Sequence, residues 1–261
     1  MSGETRRDNP AVVIGLDTMQ GLQTARLLYQ RGVEVHGIVG DLRDPFTKTT
    51  ACSTVSSSDG GRAIPEALDL LSSRLDAPAV VFPCQDAAVK VVSEVRADLA
   101  EHYILTLPSH DVVTMLMEKS TFHRHAEAHG LPVPRSRVLH CRSDAEEAGR
   151  TLAFPCVLKP TSRTEIWSAN TTAKAFEVES PNDLLEVYER VSSWVDSMVV
   201  QEWVVGPQDN LFSVNAYFDA SGDPLVSFVA RKIRQWPVTT GQSSLGVECR
   251  ADDVLELALR T

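Results

Sequence analysis

Roughly the first hundred residues alternate apolar runs with amphipathic ones, and this alternation restricts the fold more than any other feature of the chain. AVVIG (11–15), VEVHGIVG (33–40), AVVFP (79–83) and YILTLP (103–108) read as buried strands. Between them, TMQGLQTARLLYQRG (18–32) places Leu22, Ala25, Leu28 and Tyr29 near helical spacing, with Gly32 as a stop. RAIPEALDLLSSRL (62–75) and DAAVKVVSEVRADLAE (86–101) supply two further helices. Strands separated by helices predict parallel pairing and a doubly wound layer. Ligands of such sheets gather at the C-terminal ends of the strands.

After Pro108 the pattern changes. KSTFHRHAEAHG (119–130) is a helix ended by Gly130, and LPVPRSRVLH leads into a strand. SDAEEAGRTLA opens with Ser143 and has Glu146 three residues on, which predicts a capping box. PCVLK is a strand, followed by the polar loop TSRTEIWSANTTA (161–173) and the strand KAFEV (174–178). SPNDLLEVYERVSSWV carries Ser180 as N-cap, Pro181 at the first helical position and Asp183 in the first turn. MVVQEWVVG (198–206) is a strand running into a turn. NLFSVNAYFD (210–219) and PLVSFVARKIR (224–234) flank ASGD and predict an antiparallel hairpin. ADDVLELALRT opens a helix shortly before Thr261 and reads as an element cut short. The expected fold is an α/β layer followed by an α+β region rich in antiparallel strands, with the boundary near residues 108–118.

Charge and composition narrow the function. A net charge of −10 argues against a general affinity for nucleic acid or anionic membrane, while leaving room for a local basic site. No segment approaches the roughly 18–20 apolar residues of a membrane span. The start, MSGETRRDNP, has no apolar signal-peptide core. The five cysteines are scattered and form no C-x-x-C pair, so a cytoplasmic location is expected.

The residues that carry chemistry are few. VIGLDTMQG holds Gly15 and Gly21 but lacks the middle glycine of G-x-G-x-x-G, so an NAD-dependent reading rests on the first βαβ unit alone. The alternative is a tight turn whose N–H groups face a small anionic substrate. Lys159 sits at the mouth of an apolar strand, where a charge is costly unless something negative meets it. It either pairs with a nearby carboxylate or converges with Lys119 and Lys174 on a polyphosphate. In VVQEWVVGPQDN (199–210), a segment leaving a sheet exposes backbone groups suited to an adenine edge, with Trp203 and the valines as an apolar wall. The alternative there is an ordinary crossover. His123, His125 and His129 lack an acidic or cysteine partner and read as a solvated helix face rather than a zinc site. Cys84 reads as a packing thiol.

In order, AVVIGLDTMQGLQTARLLYQRGVEV, VVFPCQDA, EKSTFHRHAEAHGLPVP, FPCVLKP, VVQEWVVGPQDN, FDASGDPLVSFVARKIRQWP and TTGQSSLGVE resemble the ATP-grasp superfamily, specifically its carboxylate–amine ligase-like branch. The resemblance implies an α/β domain over 1–110 and an ATP-grasp domain over 111–261, with a first lobe at about 111–200 and part of a second at about 201–261. It implies ATP between two lobes, and carboxylate and amine substrates joined through an acyl phosphate. Lys119 and Lys159 match the phosphate lysines. Trp167 and Lys174 fit a Trp-bearing loop that leads to a lysine. Glu202, Trp203, Val204 and Val205 match the adenine hinge, and Asp209 the ribose position. Lys232 and Arg234 match a basic catalytic pair, whose i,i+2 spacing would place both on one strand face. The family's Mg2+ ligands are expected beyond residue 261. Dimers are common among relatives, though no homodimer interface is legible here. A different class of reading is a non-catalytic nucleotide-binding or scaffold protein without metal ligands.

Overall fold

The structure is a computed structural model that describes residues 9–58, 63–162, 164–236 and 242–260. The N-terminal stretch 1–8, the expected helix start at Arg62, Arg163 of the polar loop, Pro237 and the Thr239–Gly241 part of TTGQSSLGVE lie outside the described residues. The chain divides into two compact units, Met1–Met117 and Glu118–Thr261.

The first unit runs β1 (Ala11–Ile14), α1 (Met19–Gln30), β2 (Val35–Val39), β3 (Thr54–Ser57), α2 (Ile64–Ser72), β4 (Ala79–Pro83), α3 (Asp86–Glu94), α4 (Arg96–Leu99), β5 (Tyr103–Leu105) and α5 (His110–Met117). All five strands are parallel, in the order β3-β2-β1-β4-β5. Every residue of β1 and β2 is buried, as expected of strands covered on both faces. Val12, Ile14 and Ile38 pack on one side with Leu68 and Val92, while Val13, Val35 and Val39 pack on the other with Leu16 and Leu22.

Three details differ from the expectation. The edge strand β3 is built from Thr-Val-Ser-Ser, which carries no apolar run to betray it. The single helix expected over 86–101 is two, because Val95 leaves helical dihedrals (φ −94°, ψ 17°). Finally, α5 belongs to the first unit. Its His110 Nδ1 lies 2.9 Å from Ser93 Oγ of α3, and the division falls at 117/118, within the expected 108–118 range and after the 110/111 that the resemblance implied.

The second unit runs α6 (Lys119–Ala128), β6 (Ser136–Leu139), α7 (Arg142–Thr151), β7 (Cys156–Pro160), α8 (Glu165–Asn170), β8 (Phe176–Val178), α9 (Pro181–Val191), β9 (Met198–Glu202), β10 (Phe212–Phe218), β11 (Pro224–Trp236), β12 (Gln242–Cys249) and α10 (Asp252–Leu259). Strands β6-β9-β7-β8 form one antiparallel sheet and β10-β11-β12 another. The expected hairpin is present, and β12 extends it to three strands.

Local chemistry explains the helix starts. Ser180 Oγ accepts from Asp183 N at 3.2 Å, as expected for α9. The capping box of α7 lies two residues earlier than Ser143–Glu146: Cys141 is the N-cap, and Asp144 Oδ2 accepts from Cys141 N at 3.2 Å. A carboxylate in the first turn accepts strongly, which favours this earlier start. The polar loop contains α8, capped by Thr164. Trp167 on α8 is fully buried against Phe176 and Trp194, and its Nε1 donates to Ala173 O at 3.0 Å. It is a core anchor, not a loop residue over a ligand. Among the described residues, no helix is long and apolar enough to cross a membrane.

Candidate nucleotide site

The register of the four-stranded sheet divides its residues between two faces. Cys156 and Leu158 of β7, with Met198 and Val200 of β9, turn to the core formed with α7 and α9. Val157 and Lys159 alternate with them and turn the other way. Val157 lies opposite Gln201, and Lys159 opposite Val199. Ser136 and Val138 of β6 lie opposite the same two residues and complete this second face. The result is an apolar platform of valines crossed by one lysine and one glutamine.

Lys159 Nζ donates to Gln201 Oε1 at 2.8 Å. Among the described residues it makes no ion pair. Burial, and then the nearby charge of Lys119, hold its pKa below the ordinary lysine value of 10.5. Lys119, the first residue of α6, sends its Nζ to Thr161 O at 3.5 Å. The structure therefore brings Lys119 and Lys159 together around unanswered positive charge. A neutral amide oxygen fixes the Lys159 ammonium without cancelling it.

The hinge follows β9. Glu202 N donates to Arg135 O and Trp203 N to Pro155 O, both at 2.9 Å, so the strand end is held on both sides. Glu202 lies opposite Cys156, on the core face. Its Oε1 accepts from Ala153 N at 2.8 Å and lies 3.5 Å from Arg135 Nη1. The Glu202 carboxylate is thus a clamp on the hinge and faces away from the platform. Trp203 spends its N–H on Pro155 O, so that N–H is not available to a ligand. Val204 and Val205 are each 75% exposed and make no backbone hydrogen bond with a described residue.

Other expected residues stand apart. Lys174 is exposed just before β8, and Asp209 is exposed in a 3-10 turn before β10. Lys232 and Arg234 do not share a face. Their partners on β12 are Gly246 and Leu245, adjacent residues, so Ile233 is the extra residue of a β-bulge. Adjacent strand positions point opposite ways, and the pair splits accordingly. Lys232 is half-buried with Nζ donating to Gln235 Oε1 at 3.0 Å, whereas Arg234 is exposed, as is Arg231.

Gln201 is the residue that the sequence reading passed over. Its signal is strand alternation: counting from Lys159 across to β9 places it on the same face. His123 departs from the solvated-face expectation, because its side chain is only 12% exposed and Nε2 lies 3.1 Å from Glu127 Oε1. Cys84 is a packing thiol, with burial raising its pKa. Among the described residues, no three His, Cys, Asp or Glu side chains gather to hold a metal ion.

In the first unit, the turn after β1 is filled by its own side chains. Gly15 has φ 84°, and a Cβ on Gly21 would stand 2.1 Å from Gly15 O, which explains both glycines as packing requirements. Asp17 Oδ2 accepts from Gly40 N at 3.0 Å and Oδ1 from Gln85 Nε2 at 3.1 Å. A carboxylate occupies the turn expected to receive an anion.

No family model matches the chain. It is 24% identical over 147 residues to a D-aspartate ligase of Enterococcus faecium, covering 54% of this chain and 35% of that protein. Its fold is similar to L-amino acid ligase from Bacillus licheniformis (TM-score 0.64, 14% identity, 98% of this chain and 59% of that one). It is also similar to N5-carboxyaminoimidazole synthetase from Staphylococcus aureus complexed with ADP (TM-score 0.66, 14% identity, 96% and 61%). The chain thus spans about a third of the curated relative and about three-fifths of these structures. In its ordered segments and in this fold, the chain resembles the ATP-grasp carboxylate–amine ligases.

Proposed function

We propose that the valine platform binds ATP and that the chain acts in an ATP-dependent carboxylate–amine ligase. One observation carries this reading: Lys159, close to Lys119, is held by a neutral glutamine and, among the described residues, left without a counter-charge. Burying an unmatched ammonium costs several kcal/mol in an idealised interior, roughly, and a polyphosphate supplies the missing charge. Val157 and Val138, both partly exposed, offer an apolar surface to a purine, and the backbone at Val204 and Val205, unbonded among the described residues, offers the hydrogen bonds of an adenine edge. The S. aureus relative is an ADP complex, which supports the same ligand here.

In the proposed reaction, a carboxylate oxygen of one substrate attacks the terminal phosphorus and ADP leaves with the bridging oxygen. The amine of the second substrate then displaces phosphate from the acyl carbon, loses a proton and forms the amide. Lys119 and Lys159 hold charge on the phosphoryl groups throughout. Of the basic pair on β11, Lys232 is the better catalytic group. Its Nζ, like that of Lys159, donates to a glutamine oxygen and makes no ion pair among the described residues. Arg234 stands on the other face and serves a separate role. The residues described do not fit a magnesium site by themselves.

Isothermal titration with a non-hydrolysable ATP analogue tests the reading. Lys159→Met should weaken binding by about tenfold or more, as expected for loss of a charge-assisted bond, while leaving the unfolding midpoint in urea unchanged or raised. Equal affinity in Lys159→Met and the parent would refute it.

A further inference from the structure

Where β7 leaves the four-stranded sheet and β9 enters it, the second unit contains a cavity of about 540 Å³. Lys119, Arg124 and His140 line it, together with the hydroxyls of Ser162 and Ser197. Its one carboxylate, Glu118, accepts from Thr121 Oγ1 at 3.0 Å and is thereby engaged locally. Arg124 is exposed at the mouth and makes no ion pair among the described residues. Ser197 Oγ lies 2.8 Å from Thr161 Oγ1, which fixes that hydroxyl at the cavity wall.

This concentration of donors is unusual for the chain that holds it. Carboxylates outnumber Lys and Arg by 35 to 25, yet here a guanidinium, an ammonium, an imidazole and hydroxyls share one cavity with a single acid. A planar guanidinium beside an ammonium and hydroxyl donors matches a tetrahedral oxyanion, which accepts several hydrogen bonds at once. Surface cations in an acidic protein usually pair with a carboxylate, and among the described residues neither of these two makes an ion pair.

We infer that this cavity is a subsite for a phosphate-type oxyanion, held by Lys119, Arg124, His140 and the Ser197 hydroxyl. It deepens the proposed ATP reading through the shared Lys119, while Arg124 and His140 lie outside every residue invoked for that reading. The oxyanion has two sources: the distal phosphate of a nucleotide on the valine platform, or free inorganic phosphate.

The test titrates inorganic phosphate, adenosine and ATP separately into the full chain, its Arg124→Gln and Arg124→Lys variants, and Lys159→Met. Inorganic phosphate should bind the parent, weaken about tenfold or more in Arg124→Gln, and recover partly in Arg124→Lys. Adenosine affinity should not change, which also shows that the variant is folded. If Arg124→Gln weakens ATP by the same factor, and ATP competes with phosphate, the nucleotide is the source. If ATP affinity holds and both ligands bind together, free phosphate is the source. Unchanged phosphate and ATP affinities in Arg124→Gln would overturn the inference, as would a parent chain that binds no phosphate and an Arg124→Gln variant that binds ATP normally. The two readings fail separately. Loss of ATP in Lys159→Met with nothing lost in Arg124→Gln removes only this subsite, whereas normal ATP binding in Lys159→Met removes the platform reading.

Discussion

Both units place an ionised side chain among their strand ends, and they treat it in opposite ways. In the first unit, the Asp17 carboxylate receives an N–H from Gly40 after β2 and another from Gln85 after β4. Each oxygen has a donor from its own chain. In the second unit, the Lys159 ammonium receives one neutral oxygen, from Gln201, and faces a second lysine. A charge answered internally ties loops together. In the proposed reading, a half-buried charge left unanswered is held ready for a ligand. On that reading the first position serves structure and the second serves binding, although parallel-sheet strand ends are where ligands are usually sought.

The largest expected effect tests whether the open face depends on the packed face behind it. Trp167→Ala removes a fully buried indole and its hydrogen bond to Ala173 O, and should cost about 3–5 kcal/mol. All four tryptophans lie in the second unit, so fluorescence from Trp194, Trp203 and Trp236 reports its urea unfolding directly. Hydrogen exchange at the Gly40 amide in the first unit should stay as it was. A loss well under 1 kcal/mol would mean that the sheet keeps its shape without this anchor.

Next is the converse change in the first unit. Asp17→Asn keeps one acceptor but presents an amide N–H to a donor, and should cost about 2 kcal/mol. Exchange at the Gly40 amide should quicken while ATP affinity is unchanged. Loss of ATP binding in this variant would erase the distinction between the two sites.

The sequence showed this division only in part, for physical reasons. Buried runs such as AVVI and the Ser180-Pro181 start of α9 are local signals, and local signals survive in a sequence. Lys159 was legible because a charge ending an apolar strand is costly in any context. Gln201 was not, because its importance comes from register with a strand more than forty residues away. Trp167 looked like part of a polar loop, since Thr, Ser and Asn surround it and only tertiary packing buries it. The shared face of Lys232 and Arg234 failed on one inserted residue, Ile233, because a bulge leaves no clear mark in composition.

A smaller effect sharpens the contrast at Lys159 itself. Gln201→Glu replaces a neutral acceptor with a carboxylate and makes the second site resemble the first, with its charge answered internally. ATP affinity should fall by about tenfold as the ammonium is neutralised before the ligand arrives. The unfolding midpoint should hold or rise. Tighter ATP binding in Gln201→Glu would contradict the role given to the neutral amide.

The smallest effect is a pair of pH slopes with opposite signs. Burial and Lys119 lower the Lys159 pKa in the folded chain from 10.5. Between the lowered value and 10.5, the unfolded chain therefore binds more protons than the folded one at this residue. Stability must rise with pH across that interval, because folding releases a proton there and a higher pH favours the release. Affinity for a polyphosphate must fall across the same interval, because the folded ammonium is the group that deprotonates. Other lysines and tyrosines titrate nearby, so the quantity to read is the difference between the parent and Lys159→Met. That difference should show a rising urea midpoint by tryptophan fluorescence and a falling ATP affinity by calorimetry. Slopes of the same sign would mean that the group holding the ligand is not the one the fold has desolvated. Lys159 would then be another internally answered charge, like Asp17, and the contrast between the two units would disappear.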